Sequence, residues 1–293
     1  MNKLHQPAML QEVLNYLAVK PQAWYLDATF GRGGHTQAIL EAGGQVLALD
    51  CDAQAIEYGE TAFADPIKTK QLILVKANFT QMLDVWKAKN LPRFSGILFD
   101  FGASTDQLLS NERGFSFQTA APLDMRMDLS LGVTAADLLQ VLSIKQLTAL
   151  FSSAGGEVQA RKIAQAIKTA KKIPTTTGEL AELVTKTKHG QRNKLHPATK
   201  VFQSLRIAVN TEFANISQAL PVALTLLATD GRLVTLSFHE GEDRLVKNFF
   251  KDLASQNKLA ILTPKPIVPQ ENEKETNPRA RSCKLRAAQK KEG

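Results

Sequence analysis

Apolar positions along this chain form two kinds of pattern: short continuous runs of strand length, and longer stretches with helical spacing. The runs are WYLD at 24–27, QVLALD at 45–50, LILV at 72–75, GILFD at 96–100, GRLVTLSF at 231–238 and LAIL at 259–262. They alternate with the helical stretches, which predicts parallel strands joined by right-handed helical crossovers. Continuous apolar runs indicate strands that are buried on both faces. We therefore predict an α/β fold with an open, doubly wound (Rossmann-like) sheet.

The alternation stops between Leu129 and Leu205, where only helical patterns occur. One of these helices is expected to begin after Thr176, because Glu179 follows three residues later and completes a capping box. We predict an all-helical insertion at 129–205, between the fourth and fifth strands of a discontinuous sheet domain at 1–128 and 206–293. The polar, proline-rich stretch 264–282 is expected to be a loop or partly disordered.

Positive charge is concentrated in two parts of the chain. The net charge is +8, and the range 129–205 carries 11 Lys and Arg against 4 Asp and Glu, while 277–293 carries 6 against 1. Such local charge favours a polyanionic partner, above all nucleic acid, so the insertion is a candidate RNA-recognition domain. Solvated helix faces and a disordered basic tail are the alternative. The side chains expected to contact phosphates are Arg161, Lys162, Lys168, Lys171, Lys172, Arg279, Arg281 and Arg286.

Membrane and metal-binding classes of protein are disfavoured. The first residues lack the apolar run of a signal peptide, and no segment approaches the ~20 apolar residues of a membrane span, so we expect a cytoplasmic protein with no membrane partner. Cys51 and Cys283 lie far apart and have no other ligands at metal-binding spacing. His189 and His196 flank a basic loop without a carboxylate or thiol nearby, so no metal site is predicted.

The stretch DATFGRGGHTQAIL, which starts at Asp27, is typical of a strand end, a glycine turn and a helix that begins near His35. The dinucleotide fingerprint fails because its third glycine would fall on Thr36, and the Gly-Lys-Ser/Thr of a phosphate loop is missing. Asp50, which ends the second strand, is placed to accept hydrogen bonds from a ribose diol, and Asp27 can meet positive charge. These features favour a cationic nucleoside such as S-adenosylmethionine. A glycine turn that serves only a tight connection is the alternative.

The fourth strand ends on an acid, Asp100, followed by Phe101, Gly102 and Ser104. Doubly wound sheets hold their ligands at the carboxyl ends of the strands. An exocyclic amine on a base is a poor nucleophile, because its lone pair is delocalised into the ring. A carboxylate that accepts its N–H hydrogens, and then its proton, would assist it, with Ser104 as a second acceptor. The alternatives are a helix N-cap for Asp100 and a turn hydroxyl for Ser104.

Several longer segments, in order over nearly the whole chain, resemble a single family. They are DFGASTDQLLSNERGFSFQTAAPLDMRMD from Asp100, TTGELAELV from Thr176, HPATKVFQSLRIAVN from His196, GRLVTLSFHEGEDRLVKNFF from Gly231 and NPRARSCKLRAA from Asn277. With the glycine turn, they resemble the bacterial 16S ribosomal RNA (cytosine N4)-methyltransferases, the RsmH/MraW family. The most specific element is ERGFSF followed by PLDMRMD.

The resemblance implies a class I methyltransferase sheet with a helical insertion, which uses S-adenosylmethionine to methylate N4 of one cytosine near the ribosomal P site. Carried over by motif, the cofactor contacts are Gly33, Gly34, His35, Asp50, Phe79, Asp100 and Gln107. The candidate catalytic residues are Asp100, Ser104 and His239. Without the resemblance, Phe79 is typical of a core side chain, Gln107 of a surface amide and His239 of a polar residue that closes the fifth strand.

Two segments depart from the family pattern. The run at 104–107 reads STDQ, with Asp106, where the family usually has Ser-Ser-Pro-Gln, and FHEGEDR has Glu240 and Gly241 where the family has Ser-Leu. The departures concern the geometry of the target-base pocket. The residues that stay at their motif positions are Asp100, Gln107, His239 and Asp243.

The sequence therefore predicts S-adenosylmethionine-dependent N4-methylation of a cytosine in small-subunit (16S) ribosomal RNA, with the small ribosomal subunit as partner. It is also compatible with a homodimer. A catalytically silent ribosome-assembly factor that retains the fold is an alternative. A DNA amino-methyltransferase would normally show a Pro-Pro-aromatic turn where this chain has Phe-Gly-Ala after Asp100. A nicotinamide oxidoreductase is disfavoured by the failed fingerprint.

Overall fold

The computed structural model describes residues 6–110, 112–118, 120–188 and 196–292, so that His189 lies outside the described residues. The chain divides into two compact units, one formed by Met1–Gly102 with Phe213–Gly293 and the other by Ala103–Glu212. The second unit thus begins before, and ends after, the range 129–205 that the helical patterns indicate.

The first unit contains a sheet whose strands lie where the apolar runs predict, with one addition near the C-terminus. The strands are β1 (Trp24–Asp27), β2 (Gln45–Asp50), β3 (Leu72–Lys76), β4 (Phe94–Asp100), β5 (Leu227–Ser237), β6 (Leu259–Ile261) and β7 (Lys284–Lys290). In the described part of the chain their order is β3-β2-β1-β4-β5-β7-β6. The strands from β1 to β5 pair in parallel, whereas β7 is antiparallel to both β5 and β6. The predicted doubly wound α/β fold is confirmed.

Helices follow most strands, as crossover connections require. In chain order the helices of the described residues are α1 (Leu10–Leu17), α2 (Gly34–Glu41), α3 (Ala53–Ala62), α4 (Ala64–Lys68), α5 (Met82–Lys89), α6 (Thr105–Leu109), α7 (Ala135–Val141), α8 (Ile144–Ser153), α9 (Ala160–Thr169), α10 (Thr177–Thr187), α11 (Thr199–Val209), α12 (Glu212–Leu226), α13 (Glu240–Ser255) and α14 (Glu271–Thr276).

Both faces of the sheet are covered. Alternate residues along the strands enter two separate cores, so that Leu26 and Phe99 belong to one while Tyr25 and Leu98 belong to the other. This arrangement explains why the central strands are apolar at every position instead of alternating with polar residues. Within the described residues, no helix has the length and apolar character that crossing a membrane demands.

The second unit is helical, and its helices begin where side chains cap them. Thr176 Oγ1 accepts a hydrogen bond from Glu179 N at 3.3 Å, and Glu179 Oε2 accepts one from Thr176 N at 3.1 Å, which is the predicted capping box. The core of this unit is formed by α7 to α11 together with the irregular stretch before them, which contributes Phe115, Leu123 and Met125. That packing extends the unit toward the N-terminus beyond the predicted boundary.

The prediction of a loop or partly disordered segment at 264–282 is wrong for its second half. Helix α14 lies there, followed by a 3₁₀ segment, Pro278–Ser282, that leads into β7. Leu285 and Ala287 in β7 are fully buried, and Leu285 pairs with Leu236 of β5. The basic C-terminal stretch is therefore part of the sheet and not a solvated tail.

Candidate functional site

Three carboxylates lie on one face of the sheet at the same edge. Asp27, Asp50 and Asp100 end β1, β2 and β4, and these strands run parallel. The register pairs Asp27 with Ala48 on one side and with Leu98 on the other. Because side chains two residues apart point to the same face of a strand, Asp50 and Asp100 share the face of Asp27. Charge of one sign is thus concentrated at the edge where such sheets bind ligands.

The glycine turn connects β1 to α2 beside this edge. Gly31 and Gly33 have left-handed backbones, with φ of 55° and 72°. A Cβ atom on Gly33 would approach the rings of Phe30 and Phe63 to 2.6 Å, so the position requires glycine for its conformation and for its packing. Gly31 N donates to Asp50 Oδ2 at 2.7 Å, which joins the turn to the second strand.

Asp27 is buried and serves the turn itself. Its Oδ2 accepts a hydrogen bond from Thr36 Oγ1 at 2.7 Å, and its Oδ1 accepts one from Thr29 N at 3.1 Å. Burial raises the pKa of this carboxyl, and His35 opposes that shift. Thr29 Oγ1 in turn accepts a hydrogen bond from Asp100 N at 2.7 Å. Asp27 therefore fixes the geometry of the turn and, through Thr29, of the end of β4.

Asp50 is partly exposed and accepts one backbone hydrogen bond on each oxygen. Asp52 N donates to Oδ1 at 2.8 Å, and Gly31 N donates to Oδ2. Burial raises the pKa of Asp50 to about 6, although the two backbone hydrogen bonds favour its ionised form. Each carboxylate oxygen has a second lone pair, so Asp50 can still accept hydrogen bonds from a ligand's hydroxyl groups.

Asp100 has two oxygens in different surroundings. Arg279 Nη2 donates to Oδ2 at 3.2 Å, whereas Oδ1 is buried and has no hydrogen-bond partner. A buried carboxylate oxygen without a partner is costly, because it has lost its hydration and gained nothing in return. Such an atom is an acceptor available to a donor on a bound molecule.

The structure corrects the assignment of Arg279 and Arg286 to phosphate contacts. Arg279 donates to Asp100 and its guanidinium lies 5.0 Å from the ring centre of Phe238. Arg286 is 6% exposed and forms two hydrogen bonds with Asp243, Nε to Oδ1 at 2.6 Å and Nη2 to Oδ2 at 3.1 Å. Both guanidinium groups are therefore engaged inside the fold. Net charge along the sequence could not distinguish them from exposed Arg281.

His35 and Phe79 occupy positions near the strand ends but contact their own chain. His35 is buried, and its Nε2 lies 3.0 Å from Ala8 O. Phe79 is partly buried at the start of a 3₁₀ turn after β3 and contacts Phe99 and Phe101 edge-on, with ring centres 5.6 and 6.2 Å away. The contacts of Phe79 agree with a core side chain that keeps part of its surface exposed.

Ser104 and Gln107 lie in the helical unit, where they cap α6. Gln107 N donates to Ser104 Oγ at 3.2 Å, and Ser104 N donates to Gln107 Oε1 at 3.0 Å. Gln107 is 7% exposed, so it is not the surface amide that its residue type alone indicates. Asp106, which stands where the family has proline, lies in the first turn of this helix, where a negative charge is favourable. The departure is thus compatible with the same helix start.

His239 caps α13 on the sheet unit. Its Nδ1 accepts hydrogen bonds from Gly241 N at 3.2 Å and Glu242 N at 3.4 Å, and its Nε2 lies 3.1 Å from Glu242 Oε1. Gly241 abuts the ring of Phe213, so any side chain there would collide with that ring unless one of them moved. The packing of Phe213 therefore explains the glycine at this departure from the family pattern.

The residues at this edge fit a cationic nucleoside better than a phosphate-rich cofactor. The carboxylates of Asp27, Asp50, Asp52 and Asp100 outnumber the guanidinium groups of Arg279 and of Arg32, which faces the Tyr58 ring, so the field favours positive charge on a ligand. Asp50 offers acceptors for hydroxyl groups, and Asp100 Oδ1 offers an acceptor for an N–H donor. These acceptors and the negative field suit S-adenosylmethionine, which carries a ribose diol, an ammonium group and a sulfonium.

Comparison with known proteins identifies the family. The model of the MraW methylase family matches residues 2–291 of this chain. The ribosomal RNA small subunit methyltransferase H of Thermomicrobium roseum is 42% identical, in an alignment that covers 98% of this chain and 93% of that protein. The protein of the same name from Cyanothece sp. is 43% identical, with 98% and 95% covered. The chain therefore belongs to the MraW methylase family and is an S-adenosylmethionine-dependent methyltransferase.

Proposed function

We propose that this chain methylates N4 of one cytosine near the P site of small-subunit ribosomal RNA. The observation that carries the proposal is the buried Asp100 Oδ1, an acceptor without a partner at the edge of the sheet where the cofactor is expected. An exocyclic amine has N–H donors that such an atom can accept. The names of the relatives, ribosomal RNA small subunit methyltransferase H, support ribosomal RNA as the substrate.

The cofactor residues are those that the family motif indicates, and the glycine turn with its neighbouring acids supports this assignment. Bound S-adenosylmethionine supplies an electrophilic methyl group on a positively charged sulfur. Backbone groups at Gly33 and Gly34 would approach it, since glycines leave the turn open. Asp50 would accept hydrogen bonds from the ribose hydroxyls, and the exposed part of Phe79 would pack on the adenine. His35 would support the start of α2 through its contact with Ala8 O.

Asp100 would act on the substrate amine in two ways. By accepting an N–H hydrogen on Oδ1, it turns the nitrogen lone pair out of conjugation with the base and orients it. As the nitrogen gains positive charge, the carboxylate stabilises that charge and then accepts the released proton. Ser104 and His239 as catalytic residues, and Gln107 as a cofactor contact, stay predictions, because the described contacts of these three are local helix caps.

Replacing Asp50 with Ala should weaken the binding of S-adenosylmethionine by about 1.5–3 kcal/mol, the size of a hydrogen bond to a charged group. Isothermal titration calorimetry measures this change directly. Asp65→Ala is the matched control, since Asp65 is an exposed carboxylate in the first turn of α4 on the same unit. Unchanged affinity in a folded Asp50→Ala protein would remove Asp50 from the cofactor site.

The helical unit is proposed to bind the RNA. Helix α9 buries Ile163 and Ile167, while Arg161 and Lys162 on it are exposed, as is Lys171 just beyond it. Lys168 has a different environment, because its ammonium group donates to Leu139 O at 3.0 Å and Gln140 O at 2.8 Å. The exposed cations are free to contact phosphates, whereas Lys168 caps α7.

Changing Arg161, Lys162 and Lys171 together to Gln should weaken binding to the small ribosomal subunit and reduce its salt dependence. The plot of log affinity against log salt should become shallower by up to ~0.9 for each phosphate that is no longer neutralised on a duplex-like site. Affinity for S-adenosylmethionine should not change. Filter binding to subunits at several salt concentrations gives the affinity and the slope, and calorimetry gives the affinity for the cofactor.

A second triple variant, with Lys68, Lys87 and Lys89 changed to Gln, is the matched control. These three lysines are exposed on the sheet unit, and their replacement lowers the net charge equally. If both triple variants show the same decrease in affinity and slope, only net charge matters and the helical unit is not the RNA-binding surface.

Methyl transfer to isolated small subunits tests the proposed function. The subunits come from cells that lack the gene, the cofactor carries a radiolabelled methyl group, and the RNA is digested to nucleosides for chromatography. We expect label in N4-methylcytidine. Label in duplex DNA but not in subunits would instead favour a DNA amino-methyltransferase. Tight subunit binding without any label would favour a silent assembly factor.

A cytoplasmic location follows from this proposal, since ribosomal subunits are its substrate. Cell fractionation with an antibody tests it. The homodimer stays a prediction, which the mass of the protein in solution, by light scattering, tests.

A further inference from the structure

Arg279 contacts the carboxylate that is proposed to act on the substrate amine. Its Nη2 donates to Asp100 Oδ2 at 3.2 Å, and the two side chains are 22% and 10% exposed. The guanidinium also faces the Phe238 ring, at 5.0 Å from its centre. Asp100 Oδ1 has no partner. One oxygen of the carboxylate is thus occupied by a cation, and the other is open.

The backbone around Arg279 is fixed on both sides. Asn277 Nδ2 donates to Gln6 O at 3.1 Å just before it, and Ala280, just after it, is fully buried. Cys283 N donates to Ala280 O at 2.8 Å, which closes the 3₁₀ segment. These anchors fix the backbone of Arg279, and the contacts with Asp100 and the Phe238 ring fix its guanidinium.

The charged and titratable groups that face Asp100 come from two directions. The C-terminal segment contributes Arg279 and Cys283. The end of β1 contributes Asp27, which His35 also faces. Burial raises the pKa of the Cys283 thiol, so this group stays neutral. A charge on Asp27 would disfavour a second negative charge on Asp100. Arg279 counteracts both that repulsion and the cost of burial.

We propose that Arg279 is a positioning residue for methyl transfer, which holds Asp100 by Oδ2 so that the ionised Oδ1 faces the substrate amine. The inference rests on the proposed role of Asp100. Arg279 acts through Asp100 and touches no reacting atom itself. A lysine keeps the positive charge and a donor but loses the planar guanidinium that faces the Phe238 ring, so it can replace only part of the contact.

The first test compares three variants in single-turnover methyl transfer to small subunits at saturating S-adenosylmethionine. Arg279→Gln should lower the rate at least ~10-fold, because Asp100 loses the hydrogen bond that orients Oδ1 toward the amine. Arg279→Lys should be faster than Arg279→Gln, because it keeps the positive charge. The control is Arg244→Gln, since Arg244 is an exposed arginine on α13 of the same unit.

The second test needs no turnover. Calorimetry at pH 8 compares the affinities for S-adenosylmethionine and S-adenosylhomocysteine, which differ by one positive charge. Without Arg279, the negative charge of Asp100 is no longer balanced, so Arg279→Gln should favour S-adenosylmethionine about three- to tenfold more than the wild type does. A variant with only a damaged structure would bind both ligands more weakly by the same factor.

The outcomes separate this inference from the proposed function. If the wild-type protein forms no N4-methylcytidine, the proposed function fails. If the wild type is active and the Arg279→Gln variant reacts at the same rate, Arg279 has no role in the reaction. If the Arg279→Gln variant is slow, lysine restores nothing and both cofactor forms bind more weakly by the same factor, Arg279 is merely structural. Either of the last two results overturns the inference.

Discussion

Replacing Asp100 with Asn should lower the rate of methyl transfer at least ~10²-fold while S-adenosylmethionine still binds. Asn has the same shape but lacks the charge that stabilises a developing cation on nitrogen. Arg279 adds a second reason, because a guanidinium has only donors and will face the amide oxygen of Asn. The amide NH₂ would then point to the position of the unpartnered Asp100 Oδ1, where it meets the N–H donors of the substrate.

Single-turnover measurements at saturating cofactor isolate this effect from binding, which calorimetry measures separately. The matched control is Asp230→Asn, since Asp230 is an exposed carboxylate on β5 that accepts a hydrogen bond from Gln289. A rate near that of the wild type would show that Asp100 only closes its strand.

Replacing Arg286 with Ala should lower the free energy of unfolding by about 3–5 kcal/mol, as expected when one partner of a buried ion pair is removed. Asp243 is 5% exposed and would be left as a buried carboxylate without its two hydrogen bonds. The effect comes from the desolvated charge as well as from the missing attraction. Urea unfolding, followed by circular dichroism, measures it.

Lys186→Ala provides the comparison, because Lys186 pairs with Glu182 on an exposed helix face and should contribute no more than about 1 kcal/mol. The double variant Arg286→Met with Asp243→Leu should recover much of the stability, since it leaves no charge buried. Equal decreases from Arg286→Ala and Lys186→Ala would mean that the buried pair does not hold β7 to α13.

The strands could be predicted because burial on both faces leaves a simple trace in the sequence, a continuous apolar run. Strand β7 leaves no such trace, since its sequence KLRAAQK contains charged residues and two alanines of low strand preference. Its Arg286 is buried only because Asp243, 43 positions earlier, neutralises it. A pairing between positions so far apart is invisible to any local pattern.

The same limit applies to the candidate site. The positions of Asp50 and Asp100 followed from parallel strands, whose carboxyl ends lie at one edge. The contact of Arg279 with Asp100 could not be predicted, because it depends on the position of a C-terminal segment that is distant in sequence from β4. The N-terminal boundary of the helical unit could not be predicted from the helical patterns either. Phe115, Leu123 and Met125 join its core from a stretch without regular structure.

The place of β7 has a consequence for synthesis on the ribosome. It is the last strand of the described chain to be translated, yet it lies between β5 and β6. Until it emerges, β5 has an unpaired edge and β6 has no neighbour, which is the condition that recruits chaperones or leads to aggregation. Arg279 emerges in the same stretch, just ahead of β7. A nascent chain thus completes its sheet and the surroundings of Asp100 at the same late stage of synthesis. Products that end before Arg279 and β7 should therefore be inactive and readily degraded.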